Sequence, residues 1–435
     1  MSQTAASRHA ELLTRHRKVL PNWVALYYDE PIALVGGSGR HVEDAEGRRY
    51  LDFFAGILTN MIGYGIPEIV GAVQAQAERI VHSSTLYLIE QQIELAERIA
   101  ALSGIPDAKV FFTSSGTEAN EAALLLATTA RRSNQILAIR NSYHGRSYAA
   151  QGITGNRGWS ASSLSPVNVS YLHSADRLRG LLAGLDDEAY IAASVLDLRE
   201  VLATTTAGDV ACLIAEPIQG VGGFTHPPDG YFGALKPVLD EHGILLVSDE
   251  VQTGWGRTGE HFWGIEAHGV TPDAITFAKG LGNGLAIGGV VARGELMEVV
   301  TANSISTFGG NHLSSTAALA SLDYLLAHDL QANAARQGAV LLAGLREAAE
   351  KYGLVGDVRG KGLMIGVELV EPGTTTPAPR AATRVLEAAR ERGLLLGKGG
   401  LYGNCLRIGP PLSLTDTEAR EGLTMLVDAI AEVSS

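Results

Sequence analysis

The sequence predicts an α/β protein with two parts, a large domain built on a mostly parallel sheet and a smaller α+β domain. From residue 108 onward, short apolar runs rich in β-branched residues alternate with helical stretches or long loops, as in a parallel sheet covered on both faces. After about residue 315, long helical stretches surround a separate strand-rich segment. The chain length of 435 residues exceeds a single typical core and fits this division.

Three segments of the chain follow from these patterns. Residues 1–60 form an N-terminal segment of the small domain, residues 61–315 form the large domain, and residues 316–435 form the C-terminal α+β part. The N-terminus is basic and poor in acids, and we interpret it as a lead-in helix, although an organelle transit peptide has a similar composition. A hairpin, ALVGGSGRHVEDAEGRRYLDF, follows it and is expected to join the small domain.

The remaining elements are predicted from the period of their apolar residues. The strands of the large domain are AKVFFTSS, SNQILAIR, DVACLIAEP, GILLVSDE, PDAITFAKG and GGVVARG, with a polar loop after SNQILAIR. The helices of the C-terminal part are SSTAALASLDYLLAHDL, QANAARQGAVLLAGLREAAEKYG, AATRVLEAARERG and a last one from about Thr415.

Composition narrows the class of protein. The chain carries 47 acidic against 34 basic residues, a formal charge of −13, and has no basic block, so nucleic acid is not an expected partner. No apolar run approaches the roughly 20 residues of a membrane helix, so we expect no membrane partner either. Cys212 and Cys405 lie in apolar stretches and are interpreted as buried core residues, which predicts a cytoplasmic protein.

Five of the predicted strands end in polar residues. These residues are Ser114 and Ser115, then Asn141, Tyr143 and His144, then Glu216, then Asp249 and Glu250, and finally Lys279. Ligands of parallel α/β sheets bind outside the carboxyl ends of the strands, so these ends predict one pocket.

The first strand end, SSGTEAN, allows two interpretations. A helix that begins at Ser115, Gly116 and Thr117 offers backbone N–H groups and hydroxyls to a phosphate. The spacing of Ser115 and Glu118 is also that of an ordinary capping box. This segment alone does not decide between the two.

Asp249 and Lys279 raise matching questions. An aspartate at the rim of a buried sheet needs a cationic partner, either a local ion pair or helix cap or a protonated heterocycle. A lysine in apolar, positively charged surroundings loses its proton and becomes a nucleophile, whereas most lysines at strand ends are solvated. One molecule, pyridoxal phosphate, would suit all three segments. Its phosphate fits the SSGTEAN helix start, its aldehyde reacts with the lysine, and its protonated ring nitrogen pairs with the aspartate.

Two further features fit this cofactor. Tyr143 offers a flat face to the ring, unless it is a core aromatic, and the glycines of ITFAKGLGNG leave room for the cofactor.

With these motifs the sequence resembles the class III aminotransferases, a family of fold-type I pyridoxal-phosphate enzymes. The similar stretches cover nearly the whole chain in family order: YLDFFAGI, SSGTEANEAAL, SYHGRS, IAEPIQGVGG, LLVSDEVQTGWGRTG, ITFAKGLGNG, STFGGN, VRGKGLMIGVEL and LRIGPPL. They look most like alanine–glyoxylate aminotransferases of the second type and 4-aminobutyrate-type enzymes. The resemblance implies pyridoxal 5'-phosphate as the cofactor.

The resemblance also implies roles for individual residues. Lys279 matches the Schiff-base lysine and Asp249 the partner of the ring nitrogen, and these two are the expected catalytic residues. The other residues expected at the cofactor are Ser115, Gly116 and Thr117 at the phosphate, Tyr143 stacked on the ring with His144 beside it, Gln252 near the ring oxygen, and Glu216. Thr307 in STFGG matches a residue that reaches the cofactor phosphate of the neighbouring subunit, which implies a homodimer with shared sites, or a tetramer built from it.

The expected substrate residues are less closely specified. Arg146 and Arg407 match carboxylate-binding arginines, and Glu216 matches a glutamate that can neutralise Arg407 when an ω-amino substrate binds. A structural salt bridge between Glu216 and Arg407 is the alternative. Ile57 is expected to line the pocket. Relatives usually carry a histidine where this chain has Tyr64, which leaves the specificity open.

The predicted reaction is the transfer of an amino group from an amino acid or ω-amino acid, such as alanine, 4-aminobutyrate or β-alanine, to pyruvate, glyoxylate or 2-oxoglutarate. Decarboxylation, racemisation or aminomutation on the same cofactor are the alternatives within the family. An NAD-dependent dehydrogenase is a distant alternative, because no Gly-x-Gly-x-x-Gly follows a predicted strand. A metal hydrolase built on Glu216 and Asp249 would lack paired histidine ligands.

Overall fold

The computed structural model describes residues 7–435, which begin with an N-terminal helix and three short strands. Their bounds are α1 (Arg8–Val19), β1 (Leu34–Ser38), β2 (His41–Asp44) and β3 (Arg49–Asp52). A single turn and two helices lead into the central part: α2 (Ala55–Leu58), α3 (Pro67–Arg79) and α4 (Glu90–Leu102).

The central and C-terminal parts contain the other elements. The central ones are β4 (Ala108–Thr113), α5 (Gly116–Arg131), β5 (Gln135–Ile139), α6 (Tyr148–Gly152), β6 (Asn168–Leu172), α7 (Asp187–Thr204), β7 (Cys212–Ala215), α8 (Tyr231–Glu241), β8 (Leu245–Asp249), β9 (Ala274–Phe277), β10 (Gly288–Arg293) and α9 (Gly294–Met297). The C-terminal ones are α10 (His312–Ala327), α11 (Leu330–Lys351), β11 (Val355–Lys361), β12 (Met364–Leu369), α12 (Pro379–Glu391), β13 (Leu394–Leu395), β14 (Gly397–Gly399), β15 (Cys405–Ile408) and α13 (Asp416–Ser434).

The central sheet has seven strands in the order β4-β10-β9-β8-β7-β5-β6. Only β10, the predicted strand GGVVARG, runs antiparallel to its neighbours, and the other pairs are parallel. The strands β7 and β9 are buried along their whole length, as expected for a sheet covered on both faces. The predicted α/β class with a mostly parallel sheet is therefore confirmed, and β4, β5, β7, β8 and β9 all end at the same edge.

One strand of this sheet was not predicted. The segment NVSYL of β6 falls in the stretch that the sequence interpretation treated as a polar loop, and that part of the interpretation is wrong. β6 is an edge strand that pairs only with β5, so most of its residues are only partly buried. It therefore lacks the continuous apolar run that marks the central strands.

Two smaller sheets complete the fold. The predicted hairpin is a three-stranded antiparallel unit, and its fourth strand, β13, comes from the C-terminal part and lies parallel to β3. The strands β11, β12, β15 and β14 form a separate antiparallel sheet. The N-terminal segment thus reaches the C-terminal chain through a sheet of its own. The division into domains at residues 60 and 315 stays a prediction.

The four helices predicted for the C-terminal part are present as α10, α11, α12 and α13. Thr415 caps α13 through a capping box with Glu418, in agreement with the predicted start. Within residues 7–435, no helix combines the length and the apolar character needed to cross a membrane.

Candidate active site

The carboxyl ends of the central strands surround one cavity of about 340 Å³. Ten of the residues predicted for the site line it: Ser115, Gly116, Thr117, Tyr143, His144, Arg146, Glu216, Asp249, Gln252 and Lys279. Arg407 lies beside this group and contacts Gln252. Ile57 and Thr307 are both exposed and are not part of the lining.

Lys279 begins a short 3₁₀ turn directly after β9 and has a φ of 41°. Burial, and then the positive charge of Arg407, lower the pKa of its ammonium group to about 8, whereas Asp249 and Glu216 oppose this shift. The lysine is therefore much closer to its neutral, nucleophilic form at physiological pH than a solvated lysine would be.

Two of the three glycines after Lys279 do not leave space for the cofactor. A Cβ at Gly280 would lie 2.8 Å from the Met61 sulfur, and one at Gly282 would lie 3.0 Å from an Ile287 methyl group. The prediction is wrong for these two, because protein side chains occupy the room that they leave. Gly284 lines the cavity, and for this residue the space for the cofactor stays a prediction.

Asp249 is buried and held by three hydrogen bonds. Its Oδ2 accepts from His144 Nδ1 at 2.8 Å and from Asn120 Nδ2 at 2.7 Å, and its Oδ1 accepts from the Val251 N–H at 3.1 Å. Asn120 in turn accepts from the Thr276 hydroxyl at 2.7 Å. Donors on both oxygens fix the orientation of the Asp249 carboxyl group.

Sequence reasoning missed Asn120 and Thr276. A signal for Asn120 existed, because it is a polar residue on the buried face of α5, among alanines and leucines. Such a residue needs a partner in the protein interior. Thr276 gave no signal, since threonine is common in strands.

The start of α5 shows the capping role that the sequence left open, and the phosphate role stays a prediction. The Ser115 hydroxyl accepts from the Glu118 N–H at 3.4 Å, which is the capping role. Thr117 Oγ1 contacts Ser147 Oγ at 2.5 Å and accepts from the Ser147 N–H at 3.1 Å. A Cβ at Gly145 would lie 2.3 Å from Thr117 Oγ1, so only glycine leaves Thr117 in place. The first N–H groups of α5 still face the cavity end of the helix, where an anion is stabilised.

Glu216 and Arg407 each have partners of their own. Glu216 accepts from the N–H groups of Tyr143 and Gly220, both at 2.8 Å, and burial raises its pKa to about 7. Arg407 donates to Gln252 Oε1 at 3.0 Å. The alternative of a direct salt bridge between Glu216 and Arg407 is therefore wrong.

Two aromatic rings enclose Arg407. Its guanidinium carbon lies 5.1 Å from the ring centre of Phe54 and 4.8 Å from that of Phe224. The side chain is buried, and its Nε has no hydrogen-bond partner. Burial lowers the pKa of Arg407. A buried guanidinium with free donor capacity is suited to a carboxylate ligand.

The residues Phe54 and Phe224 were not predicted for the site, because neither is near Arg407 in sequence.

Tyr143, the predicted stacking residue, contacts Trp159 edge-on with ring centres 5.5 Å apart and also lines the cavity. Tyr64 is absent from the lining and donates its hydroxyl to Asp52 Oδ2 at 2.6 Å.

The turn α2 has an unusual backbone. Its four residues, Ala55, Gly56, Ile57 and Leu58, have φ angles of 48°, 61°, 67° and 61°. The left-handed conformation costs about 1–2 kcal/mol for each residue other than glycine. A strained turn of this kind persists only where its surroundings fix it, and such turns occur mostly at functional sites.

Comparison with known proteins agrees with this geometry. The family model described as "Aminotransferase class-III" matches residues 26–430. The chain is 41% identical over 412 residues to "Alanine--glyoxylate aminotransferase 2 homolog 2, mitochondrial" of Arabidopsis thaliana, which covers 94% of this chain and 84% of the relative. It is 36% identical to "Alanine/serine racemase" of Pyrococcus horikoshii, over 98% of this chain and 91% of the relative. An amine transaminase from an uncultivated Pseudomonas species, solved in its PLP-bound form, superposes with a TM-score of 0.88 at 31% identity, over 95% of this chain and 98% of that one.

Proposed function

This chain belongs to the class III aminotransferases, and from that premise we propose which groups it transfers and which residues transfer them. It is an aminotransferase that depends on pyridoxal 5'-phosphate. The donor in this proposal is alanine or an ω-amino acid such as 4-aminobutyrate or β-alanine. The acceptor is pyruvate, glyoxylate or 2-oxoglutarate. The observation that carries the proposal is that Arg407 is buried without a carboxylate hydrogen-bond partner. It contacts Gln252, which lines the same cavity as Lys279 and Asp249.

The cavity fits pyridoxal phosphate at three places. The phosphate would lie at the start of α5, where Gly145 keeps Thr117 in position. The ring nitrogen would face Asp249, which His144 and Asn120 orient through hydrogen bonds to its Oδ2. The aldehyde would meet Lys279, whose pKa burial has lowered to about 8. Tyr143 and Gln252 line the same cavity and would contact the ring.

The bound cofactor supplies an electron sink for the carbon that carries the amino group. Lys279 moves the proton, because its neutral Nζ can accept it from that carbon and return it. Asp249 would hold a proton on the ring nitrogen, and His144 and Asn120 orient Asp249 through hydrogen bonds to its Oδ2.

Arg407 binds the carboxylate of the amino or oxo acid in this proposal. Glu216 would have to leave two backbone N–H groups to neutralise Arg407, at the expense of two buried hydrogen bonds. We therefore propose that Gln252, and not Glu216, is the partner that Arg407 exchanges for the carboxylate. Arg146 lies on the exposed side of the cavity and would meet a second carboxylate.

A donor and acceptor screen combined with Arg407→Ala tests the function. We expect the variant to lose at least about 30-fold in kcat/KM for 2-oxo acids, because a charge-assisted bidentate contact is lost. Half-reactions with simple amines should change by less than about threefold. Arg140→Ala, an exposed arginine after β5, is the matched control. Equal loss with amines and with oxo acids would contradict the role of Arg407.

The same screen tests the alternatives within the family. Carbon dioxide released without an oxo acid would establish a decarboxylase. Loss of optical activity from alanine without any net change in its amount would establish a racemase. Either result, in the absence of amino-group transfer, would overturn this assignment of substrates.

The homodimer is part of the proposal. Thr307 is exposed between Ile305 and Phe308, whose side chains are 53% and 61% exposed. Leu86 and Leu88 are 73% and 92% exposed, and exposed apolar side chains of this size are typical of an interface. A dimer would bring Thr307 to the phosphate end of the partner's cavity, and light scattering measures whether the assembly is a dimer or a tetramer.

We place the protein in the cytoplasm, which its two free, buried cysteines support.

Uptake of pyridoxal phosphate by the apoprotein is expected to accelerate with a midpoint near pH 8. Burial lowers the pKa of Lys279 to about 8, and only the neutral amine attacks an aldehyde. The rate should therefore rise as pH passes this value and level off above it. Stopped-flow absorbance measures the rate, with N-acetyl-lysine amide as the small-molecule control. A rate that continues to rise toward the ordinary lysine pKa of about 10.4 would contradict the prediction.

A further inference from the structure

The left-handed turn α2 is fixed by a buried carboxylate at its start. Asp52 Oδ1 accepts from the N–H groups of Phe54 at 2.8 Å and Ala55 at 2.9 Å. Asp52 Oδ2 accepts from the Tyr64 hydroxyl at 2.6 Å. Asn60 Nδ2 donates to the Tyr64 oxygen at 3.3 Å, so the end of the turn is tied to the same hydroxyl. Asp52 and Tyr64 thus hold both ends of a strained segment.

The carboxylate depends on its donors, because Asp52 is only 3% exposed. Burial raises its pKa, and the hydrogen bonds from Tyr64, Phe54 and Ala55 oppose that rise. A buried carboxylate that loses one of three donors is left with an unpaired oxygen. Its hold on the two N–H groups then weakens as well.

The turn places two side chains at the carboxylate end of the candidate site. Phe54, whose N–H is held by Asp52, stacks its ring on the Arg407 guanidinium at 5.1 Å. Thr59, directly after the turn, lines the cavity. A Cβ at Gly397 would lie 2.2 Å from the Phe54 ring, and Tyr27 stacks on that ring with centres 6.0 Å apart, so there is little room for the ring to shift.

We propose that Tyr64 is a positioning residue of the carboxylate site. Its hydroxyl holds Asp52, Asp52 holds the first N–H groups of the left-handed turn, and the turn holds Phe54 against Arg407. The ring keeps the guanidinium in the orientation in which it donates to Gln252 at the edge of the cavity. Tyr64 therefore sets the affinity for carboxylate substrates without touching them.

This inference rests on the proposed function of Arg407, so the experiment measures carboxylate binding directly. The probe is butyrate, a carboxylate without an amine, and calorimetry on the cofactor-loaded protein gives its Kd. In Tyr64→Phe, which removes only the hydroxyl, we expect the Kd to rise about tenfold. Hydrogen exchange at the amides of Phe54 and Ala55 should become faster in the same variant, because their acceptor is less firmly held.

The chain contains a matched control for the loss of such a bond. Tyr50 donates its hydroxyl to the buried Asp44 at 2.8 Å, and Asp44 also accepts from two backbone N–H groups, those of Glu46 and Arg48. Tyr50→Phe therefore removes the same kind of interaction from the neighbouring strand. It should lower Tm by an amount similar to Tyr64→Phe and leave the butyrate Kd unchanged.

A double-mutant cycle tests whether Tyr64 acts through Phe54. Phe54→Leu removes the ring but keeps the backbone N–H, and it should weaken butyrate binding on its own. If Tyr64 acts through that ring, adding Tyr64→Phe to Phe54→Leu causes no further loss. Losses that add fully would overturn the proposed route.

The remaining outcomes separate this inference from the proposed function. A wild-type protein that does not bind butyrate would overturn the role of Arg407 and this inference with it. A wild-type protein that binds butyrate, together with a Tyr64→Phe variant that binds it equally well, would overturn only the role of Tyr64. An equal loss in Tyr64→Phe and Tyr50→Phe would assign the effect to general destabilisation and would also overturn it.

Discussion

Lys279→Ala is expected to lower kcat/KM for amino-group transfer by roughly 10⁴-fold, the upper range for loss of a proton-transferring side chain. The variant loses the amine that would anchor the cofactor and the base that would move the substrate proton. No other lysine lines the cavity in the part of the chain that the structure describes. Steady-state kinetics with alanine and pyruvate at saturating cofactor measures the effect.

The matched control is Lys109→Ala, a lysine on β4 of the same sheet. Its side chain is 55% exposed and forms a surface ion pair with Glu298, an interaction worth about 0–1 kcal/mol. This control should keep nearly full activity. A Lys279→Ala enzyme that retained a tenth of the wild-type rate would show that another group moves the proton.

Asp249→Asn is expected to lower kcat/KM by about 10²–10³-fold, which corresponds to about 3–4 kcal/mol. The amide has nearly the shape of the carboxylate but cannot stabilise a positive charge on a ring nitrogen. Its NH₂ group faces hydrogen-bond donors at either oxygen position, so at least one buried hydrogen bond is lost. Single-turnover kinetics separates this loss from weaker cofactor binding.

The neighbouring residue supplies the control for this substitution. Glu250 is also buried, and it accepts from the N–H groups of Gly264 at 2.8 Å and Ile265 at 2.8 Å, away from the cavity lining. Glu250→Gln removes the same charge one residue along the chain and should lower Tm while kcat per bound cofactor changes by less than about threefold. Equal losses of kcat in Asp249→Asn and Glu250→Gln would contradict a specific role of Asp249.

The sequence predicted the central sheet because its strands are buried on both faces and read as continuous apolar runs. The polar residues that end these strands, such as Glu216, Asp249 and Lys279, could be grouped because parallel strands end at one edge of a sheet. Local signals were sufficient for these features. The edge strand β6 has a weaker pattern, and it was missed for that reason.

The other features depend on contacts between distant parts of the chain. The rings around Arg407 come from Phe54 and Phe224, and no local pattern joins three such positions. The left-handed turn was equally hidden, since three of its four residues are not glycine and carry no turn signal. The glycines near Lys279 did give a signal, but Gly280 and Gly282 accommodate Met61 and Ile287, and only Gly284 lines the cavity.

The parallel pairing of β3 with β13 has a consequence for biosynthesis. Leu395 lies opposite Asp52, and the Phe53 N–H donates to the Leu395 carbonyl, so the ribosome must release most of the chain before this sheet can close. The central sheet with Lys279 needs only residues that emerge earlier. Contacts of such long sequence separation form slowly, and until then β3 presents an open edge to other nascent chains. We therefore expect Lys279 and Asp249 to be in place on the nascent chain before Arg407, the proposed carboxylate-binding residue.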